Sequence, residues 1–81
     1  MTEATEESVR ELLASFLKVD RARLQSETSL DELGLDSLAA VELIFEIEER
    51  FRVRVPGERA AEFRSVRTIA EAVRALQAAG A

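Results

Sequence analysis

The chain offers few side chains for chemistry. Its 81 residues contain no histidine and no cysteine, so no side chain has an unperturbed pKa near neutrality. General base catalysis would require a strongly shifted carboxylate or Lys18, and a serine nucleophile would lack an imidazole partner. A zinc site would have to consist of carboxylates alone, which is uncommon. We therefore predict a protein that is not an enzyme and has no metal site.

The most informative hydroxyl belongs to Ser37, which follows Gly34 and Asp36 and precedes an apolar run. Asp and Ser are the commonest residues at the N-cap of a helix, and taken alone this explanation would suffice. The alternative is that the hydroxyl attaches a phosphate. A phosphodiester there would lie beside unpaired backbone N–H groups and the positive end of the helix dipole, both of which stabilise an anion.

The elements that position Ser37 are predicted to be helices. Apolar residues recur at helical spacing over approximately residues 5–18, 37–51 and 68–79, and residues 58–64 add a short helix. Residues 19–36 show no sustained period and are predicted to form a long first loop. The fold class is therefore all-α, an irregular four-helix bundle of three main helices and one short helix.

Capping patterns indicate where these helices begin. Thr5 is predicted to cap the first helix, and Thr68 with Glu71 to form a capping box at the start of the last. Ser29 and Glu32 are predicted to cap one helical turn within the loop.

Composition limits the number of domains and the classes of partner. The chain is 47% hydrophobic and 33% charged, which predicts one folded domain over residues 1–81. No apolar run is long enough to cross a bilayer, so we expect a cytoplasmic monomer that does not bind membranes. The net charge of −5 also disfavours nucleic acids and anionic lipid surfaces.

The second predicted helix has more apolar surface than one core face needs. Its core face is predicted to contain Ala40, Leu43, Ile44, Ile47 and Phe51. A second strip, formed by Leu38, Val41 and Phe45, is bordered by Glu42, Glu46 and Glu49. Either this helix is central and buried over most of its girth, or the second strip is an exposed docking surface rimmed by charge.

Charge is segregated along the chain. Residues 24–49 contain eight acidic side chains and no basic one, whereas residues 50–67 contain six arginines and two acids. Scattered surface charges usually have no function beyond solvation. A stretch with no compensating base predicts a negative field around Ser37 that would steer basic partners.

Residues 33–43, with the sequence LGLDSLAAVEL, resemble the phosphopantetheine attachment motif of acyl carrier proteins. The Asp-Ser-Leu core of that motif matches residues 36–38, and the Val-Glu-Leu of the following helix matches residues 41–43. The stretch 46–56 is also similar to discrete carrier proteins, and residues 68–76 fit their last helix. The resemblance covers nearly the whole chain and is more specific than an isolated Asp-Ser-Leu triplet.

The resemblance implies that a phosphopantetheinyl transferase attaches 4′-phosphopantetheine from coenzyme A to Ser37, and that Asp36 helps the transferase engage its metal-bound substrate. Acyl groups would then be carried as thioesters to ketosynthases, acyltransferases or acyl-activating enzymes with basic docking patches. The docking residues would be Leu38, Val41, Glu42, Phe45, Glu46 and Glu49. The interior residues expected to shelter part of an acyl chain are Leu13, Leu43, Ile44, Ile47 and Val73.

Three alternatives stay open within and beyond this resemblance. The arginines after residue 50 and the bulky Phe45 depart from carriers of primary fatty-acid synthesis, so we favour polyketide-type or related specialised biosynthesis over that alternative. A peptidyl or aminoacyl carrier would more often have a second glycine or a histidine near Leu35-Asp36. The non-carrier alternative is a small helical protein-interaction module in which Ser37 serves only as a cap.

Overall fold

The computed structural model describes residues 4–80, and the helices within this range confirm the predicted irregular all-α bundle. The four α-helices are α1 (Glu6–Leu17), α2 (Ser37–Phe51), α3 (Gly57–Ala60) and α4 (Val66–Ala78). The long segment between α1 and α2 contains two 3₁₀ turns, Arg21–Arg23 and Asp31–Leu33. No strand occurs among these residues apart from a single bridge between Ser29 and Ser65.

The first two main helices begin where their caps predict. Thr5 Oγ1 accepts a hydrogen bond from the Ser8 N–H at 3.1 Å, and the Ser8 hydroxyl oxygen accepts one from the Thr5 N–H at 2.8 Å. The first helix is one residue shorter at each end than the predicted 5–18, because Thr5 and Lys18 are its caps. The second helix has the predicted bounds, 37–51.

The predicted start of the last helix is wrong. Its capping box is formed by Ser65 and Thr68: Ser65 Oγ accepts from the Thr68 N–H, and Thr68 Oγ1 accepts from the Ser65 N–H. The predicted box of Thr68 with Glu71 does not form, because the helix already begins at the fully buried Val66. The helix ends at Ala78 instead of residue 79.

The short helix is also shorter than predicted. It covers Gly57–Ala60 instead of residues 58–64, and the next N–H groups, of Glu62 and Phe63, bond three residues back as in a tight turn. Ala61 is exposed and only Phe63 packs against the core. With a single apolar contact, nothing stabilises a longer helix here.

One hydrophobic core joins the helices, with α1 packed against both α4 and α2. Its largest fully buried side chains from the helices are Leu13, Leu43, Ile47, Phe51 and Ile69. The long loop contributes Leu24 and Leu30, which are buried, while Leu33 and Leu35 are half-buried at the edge of the core. All four of these leucines in the loop therefore contact the core.

The long loop is tied to the start of α4 by backbone hydrogen bonds. The Leu30 N–H donates to the Arg64 carbonyl at 2.9 Å, and the Arg67 N–H donates to the Ser26 carbonyl at 3.0 Å. The Arg67 guanidinium also pairs with Glu27 at 2.8 Å. The hydrogen bond and negative charge of Glu27 raise the pKa of Arg67.

Candidate functional site

The approach to Ser37 is fixed by a glycine turn. Gly34 has a φ of +77°, a left-handed conformation that glycine adopts at little cost, and its N–H closes the preceding 3₁₀ turn on the Asp31 carbonyl. Leu33 and Leu35 on either side of Gly34 pack against the core. The chain therefore reaches α2 from an anchored turn, with Asp36 and Ser37 exposed to solvent.

Asp36 is the residue that caps α2. Its Oδ1 accepts a hydrogen bond from the Ala39 N–H at 2.8 Å, and its carbonyl accepts from the Ala40 N–H at 2.9 Å. Ser37 is the first residue of the helix itself, and its hydroxyl has no hydrogen-bond partner among residues 4–80. The interpretation of Ser37 as the helix cap is therefore wrong, and its exposed hydroxyl has no structural role.

The surroundings of Ser37 fit a phosphodiester. The N–H groups of Ser37 and Leu38 lie in the first turn of α2, where a helix has no internal acceptors for them. These groups and the positive end of the dipole of this 15-residue helix favour an anion at the hydroxyl. Because Ser37 is exposed, a covalently attached group would displace no packed side chain.

The second apolar strip of α2 is exposed. Leu38 is 70% exposed, Val41 47% and Phe45 61%, and these three side chains are called the docking strip from here on. The opposite face is buried through Leu43, Ile47 and Phe51, while the predicted core residues Ala40 and Ile44 are half-buried at its edge. The alternative of a helix buried over most of its girth is therefore wrong.

The carboxylates beside the docking strip are also exposed. Within residues 4–80, no ion pair or hydrogen bond involves the side chains of Glu42, Glu46 or Glu49. They form an uncompensated negative border along the strip, which would attract a basic surface. The structure thus brings the six docking residues predicted from the sequence onto one exposed side of α2.

Glu27 and Glu48 also belong to the predicted acidic stretch, but their side chains are bonded to other parts of the fold. Glu27 pairs with Arg67. Glu48 Oε2 accepts a hydrogen bond from the Val55 N–H at 2.8 Å, which fixes the segment after α2. Sequence reasoning assigned both to the acidic surface. Their partners lie at positions that no local pattern connects to them, so these roles had no sequence signal.

The residues expected to shelter an acyl chain lie inside the bundle. Leu13, Leu43, Ile47 and Val73 belong to the same core cluster, and Ile44 is half-buried.

Over the part of the chain that the structure describes, no three acidic side chains come close enough to hold a metal ion. None of the helices in that part is long and apolar enough to span a bilayer.

Two sequence comparisons with known proteins match most of the chain. A family model described as "Phosphopantetheine attachment site" matches residues 7–73, a range that includes Ser37. The acyl carrier protein of Clostridium acetobutylicum is 37% identical over 70 residues, which are 85% of this chain and 91% of that protein.

Two solved structures share the fold. The oxytetracycline acyl carrier protein has a TM-score of 0.78 at 22% identity, over 100% of this chain and 90% of that one. The acetyl actinorhodin acyl carrier protein from Streptomyces coelicolor has a TM-score of 0.75 at 23% identity, over 99% and 98% of the two chains.

The division of roles between Asp36 and Ser37 predicts that alanine substitutions at the two positions have unequal effects on stability. Asp36→Ala removes the cap and should lower the free energy of unfolding by about 1 kcal/mol. Ser37→Ala removes an unbonded hydroxyl and should change it by less than about 0.5 kcal/mol. Urea unfolding followed by circular dichroism measures both. A larger loss for Ser37→Ala than for Asp36→Ala would contradict the assignment.

Proposed function

The chain belongs to the acyl carrier protein family, and we propose that Ser37 is the residue to which its 4′-phosphopantetheine is attached. The observation that carries this proposal is the exposed, unbonded hydroxyl of Ser37 beside a helix cap supplied entirely by Asp36. The attached group supplies a terminal thiol on which acyl chains are held as thioesters. The chain has no cysteine of its own, so this thiol would be the only one present.

The attachment step defines what each residue of the site does. The Ser37 hydroxyl forms a bond to the phosphorus of the pantetheine phosphate while the pyrophosphate bond of coenzyme A breaks, and adenosine 3′,5′-bisphosphate leaves. The hydroxyl proton passes to a base of the transferase, because the neighbouring Asp36 carboxylate is held in the helix cap by the Ala39 N–H. Asp36 keeps the first turn of α2 closed during the step and presents its second carboxylate oxygen to the transferase and its metal-bound substrate.

Carrier proteins act through partner enzymes. We infer that a phosphopantetheinyl transferase and then ketosynthases, acyltransferases or acyl-activating enzymes dock on the docking strip and its acidic border. Leu38, Val41 and Phe45 would enter an apolar recess, and Glu42, Glu46 and Glu49 would face basic side chains. The cytoplasmic location and monomeric state expected from the sequence stay predictions.

The pathway we favour is polyketide-type or related specialised biosynthesis. Two features support it over primary fatty-acid synthesis: the chain becomes rich in arginine directly after α2, and the bulky Phe45 stands 61% exposed in the middle of the docking strip. A wide aromatic side chain at this point requires a deeper recess in the partner, which narrows the set of enzymes that can dock.

Incubation with coenzyme A and a broad-specificity phosphopantetheinyl transferase should add one phosphopantetheine group to the protein. Intact-mass measurement detects the adduct, and Ser37→Ala should have none. Ser8→Ala, Ser15→Ala and Ser26→Ala are controls that should keep it. Absence of the adduct from the wild type, or its presence on Ser37→Ala, would refute the proposed attachment site.

Reversing two border charges should weaken docking. Glu42→Lys with Glu49→Lys should raise the KM of the transferase by roughly tenfold, because two opposite-charge contacts become repulsive. The matched control is Glu11→Lys with Glu58→Lys, which changes the net charge equally but lies outside α2. Steady-state kinetics, with circular dichroism to verify folding, compares them. Equal KM values for the two variants would exclude a specific acidic docking surface.

The pathway proposal predicts a preference among ketosynthases. The acylated carrier should be accepted with a higher kcat/KM by ketosynthases of polyketide assembly than by those of fatty-acid synthesis. Phe45→Met should narrow this difference, since the smaller, flexible side chain fits a shallower recess. A higher kcat/KM with fatty-acid ketosynthases for the wild type would favour the alternative pathway.

A further inference from the structure

Three arginines stand together on the outside at the C-terminal end of α2. Arg50, Arg52 and Arg54 are exposed, and they alternate with Phe51 (1% exposed) and Val53 (6% exposed). Because the apolar residues between them are anchored in the core, the guanidinium groups are kept on the solvent side. These three residues are called the arginine patch.

The arginine patch takes no part in the internal ion pairs of the fold. Arg10, Arg21, Arg59 and Arg67 each pair with a carboxylate. Within residues 4–80, the side chains of the three patch arginines have neither an ion pair nor a hydrogen bond. Their charges are therefore available to another molecule.

Helix termination does not explain the arginine at position 52. Arg52 ends α2 with a φ of +55°, a left-handed conformation that costs a residue with a Cβ roughly 1–2 kcal/mol and that glycine adopts freely. Lys18 ends α1 in the same way without neighbouring arginines, so the conformation by itself indicates no site. It shows only that the fold would favour glycine where the patch has a charge.

The arginine patch follows the acidic border along α2, so the surface charge changes from negative to positive towards the C-terminal end of the helix. A helix rises about 1.5 Å per residue, so Arg50 lies about 20 Å along α2 from Ser37. Glu42, Glu46 and Glu49 lie between them. A long polyanion such as a nucleic acid would place charge over these carboxylates as well and be repelled. The arrangement fits a protein surface with an acidic patch next to a basic one.

We propose that the arginine patch binds an acidic patch on the partner enzymes that dock along α2, and so sets their orientation. A partner with basic groups opposite Glu42–Glu49 and acidic groups opposite Arg50–Arg54 is attracted at both ends. A partner whose basic surface continues past the end of α2 is repelled there. The identification of the partner as a docking enzyme rests on the proposed function, whereas the binding of acidic groups does not.

The first test maps both charged regions with short peptides. Hexaglutamate should shift the backbone NMR signals of residues 50–54, and hexalysine those of residues 42–49. Arg50→Gln, Arg52→Gln and Arg54→Gln together should weaken hexaglutamate binding roughly tenfold and leave the hexalysine shifts in place. The control variant, Arg23→Gln with Arg64→Gln and Arg74→Gln, has the same net charge and also removes exposed, unpaired arginines.

Two further measurements separate the binding role of the arginine patch from any effect on folding. Arg52→Gly should weaken hexaglutamate binding about twofold without lowering thermal stability, which separates loss of the patch from loss of the fold. With an enzyme that accepts the loaded carrier, the patch variant should have a KM several-fold above that of the control variant, at unchanged kcat.

Three results would overturn the proposal. Hexaglutamate could shift the NMR signals of all exposed arginines equally, or the two triple variants could lose hexaglutamate affinity to the same extent. The third is tighter binding of an oligothymidylate than of hexaglutamate. The peptide titrations are performed without phosphopantetheine and should give the same result with Ser37→Ala. A result that refutes attachment at Ser37 can therefore be distinguished from a result that refutes binding of acidic groups by the arginine patch.

Discussion

The helix α2 has more apolar surface than a fold of this size can cover. A small domain buries a smaller fraction of its surface than a large one, and here the hydrophobic core covers only the face of α2 that contains Leu43, Ile47 and Phe51. The three residues of the docking strip stay largely outside. Complete burial of such side chains contributes at most about 1.5–3 kcal/mol each, and less for Val41, which is only 47% exposed. A partner that covers the strip recovers this free energy, so transient docking is favoured by the same constraint that keeps the fold small.

The placement of Ser37 depends on how α2 begins. The Asp36 carboxylate occupies the cap, the left-handed Gly34 turns the chain, and Leu33 and Leu35 attach that turn to the core. The long loop before it is held in turn by backbone hydrogen bonds to the segment that opens α4. Ser37 therefore stands on an anchored helix end beside the docking strip, so that an enzyme that bound the strip as proposed would meet the serine at a defined position.

The residues next to the helix ends were enough to predict where α2 begins and ends, but not where α4 begins. Asp36 is a strong cap residue followed directly by apolar residues at helical spacing, and both bounds of α2 were predictable from this pattern. At the start of α4, Ser65 and Thr68 are both capping residues, and the choice between them is made by the burial of Val66 and by the bridge between Ser29 and Ser65. Such contacts join residues far apart in the sequence, as does the ion pair of Glu27 with Arg67, and no period or motif encodes them.

A hydroxyl without structural bonds is a suitable attachment point because its modification removes nothing from the fold. If Ser37 capped α2, esterification of its oxygen would compete with the hydrogen bond to the first turn, and the modification would loosen the helix. Asp36 separates the two tasks: the carboxylate stabilises the helix and the neighbouring hydroxyl is left for chemistry. A phosphodiester at Ser37 would in addition lie near the unpaired N–H groups of the first turn, so the loaded helix is stabilised by the charge it acquires. The carrier can thus be loaded while its docking strip and its buried face keep the same arrangement.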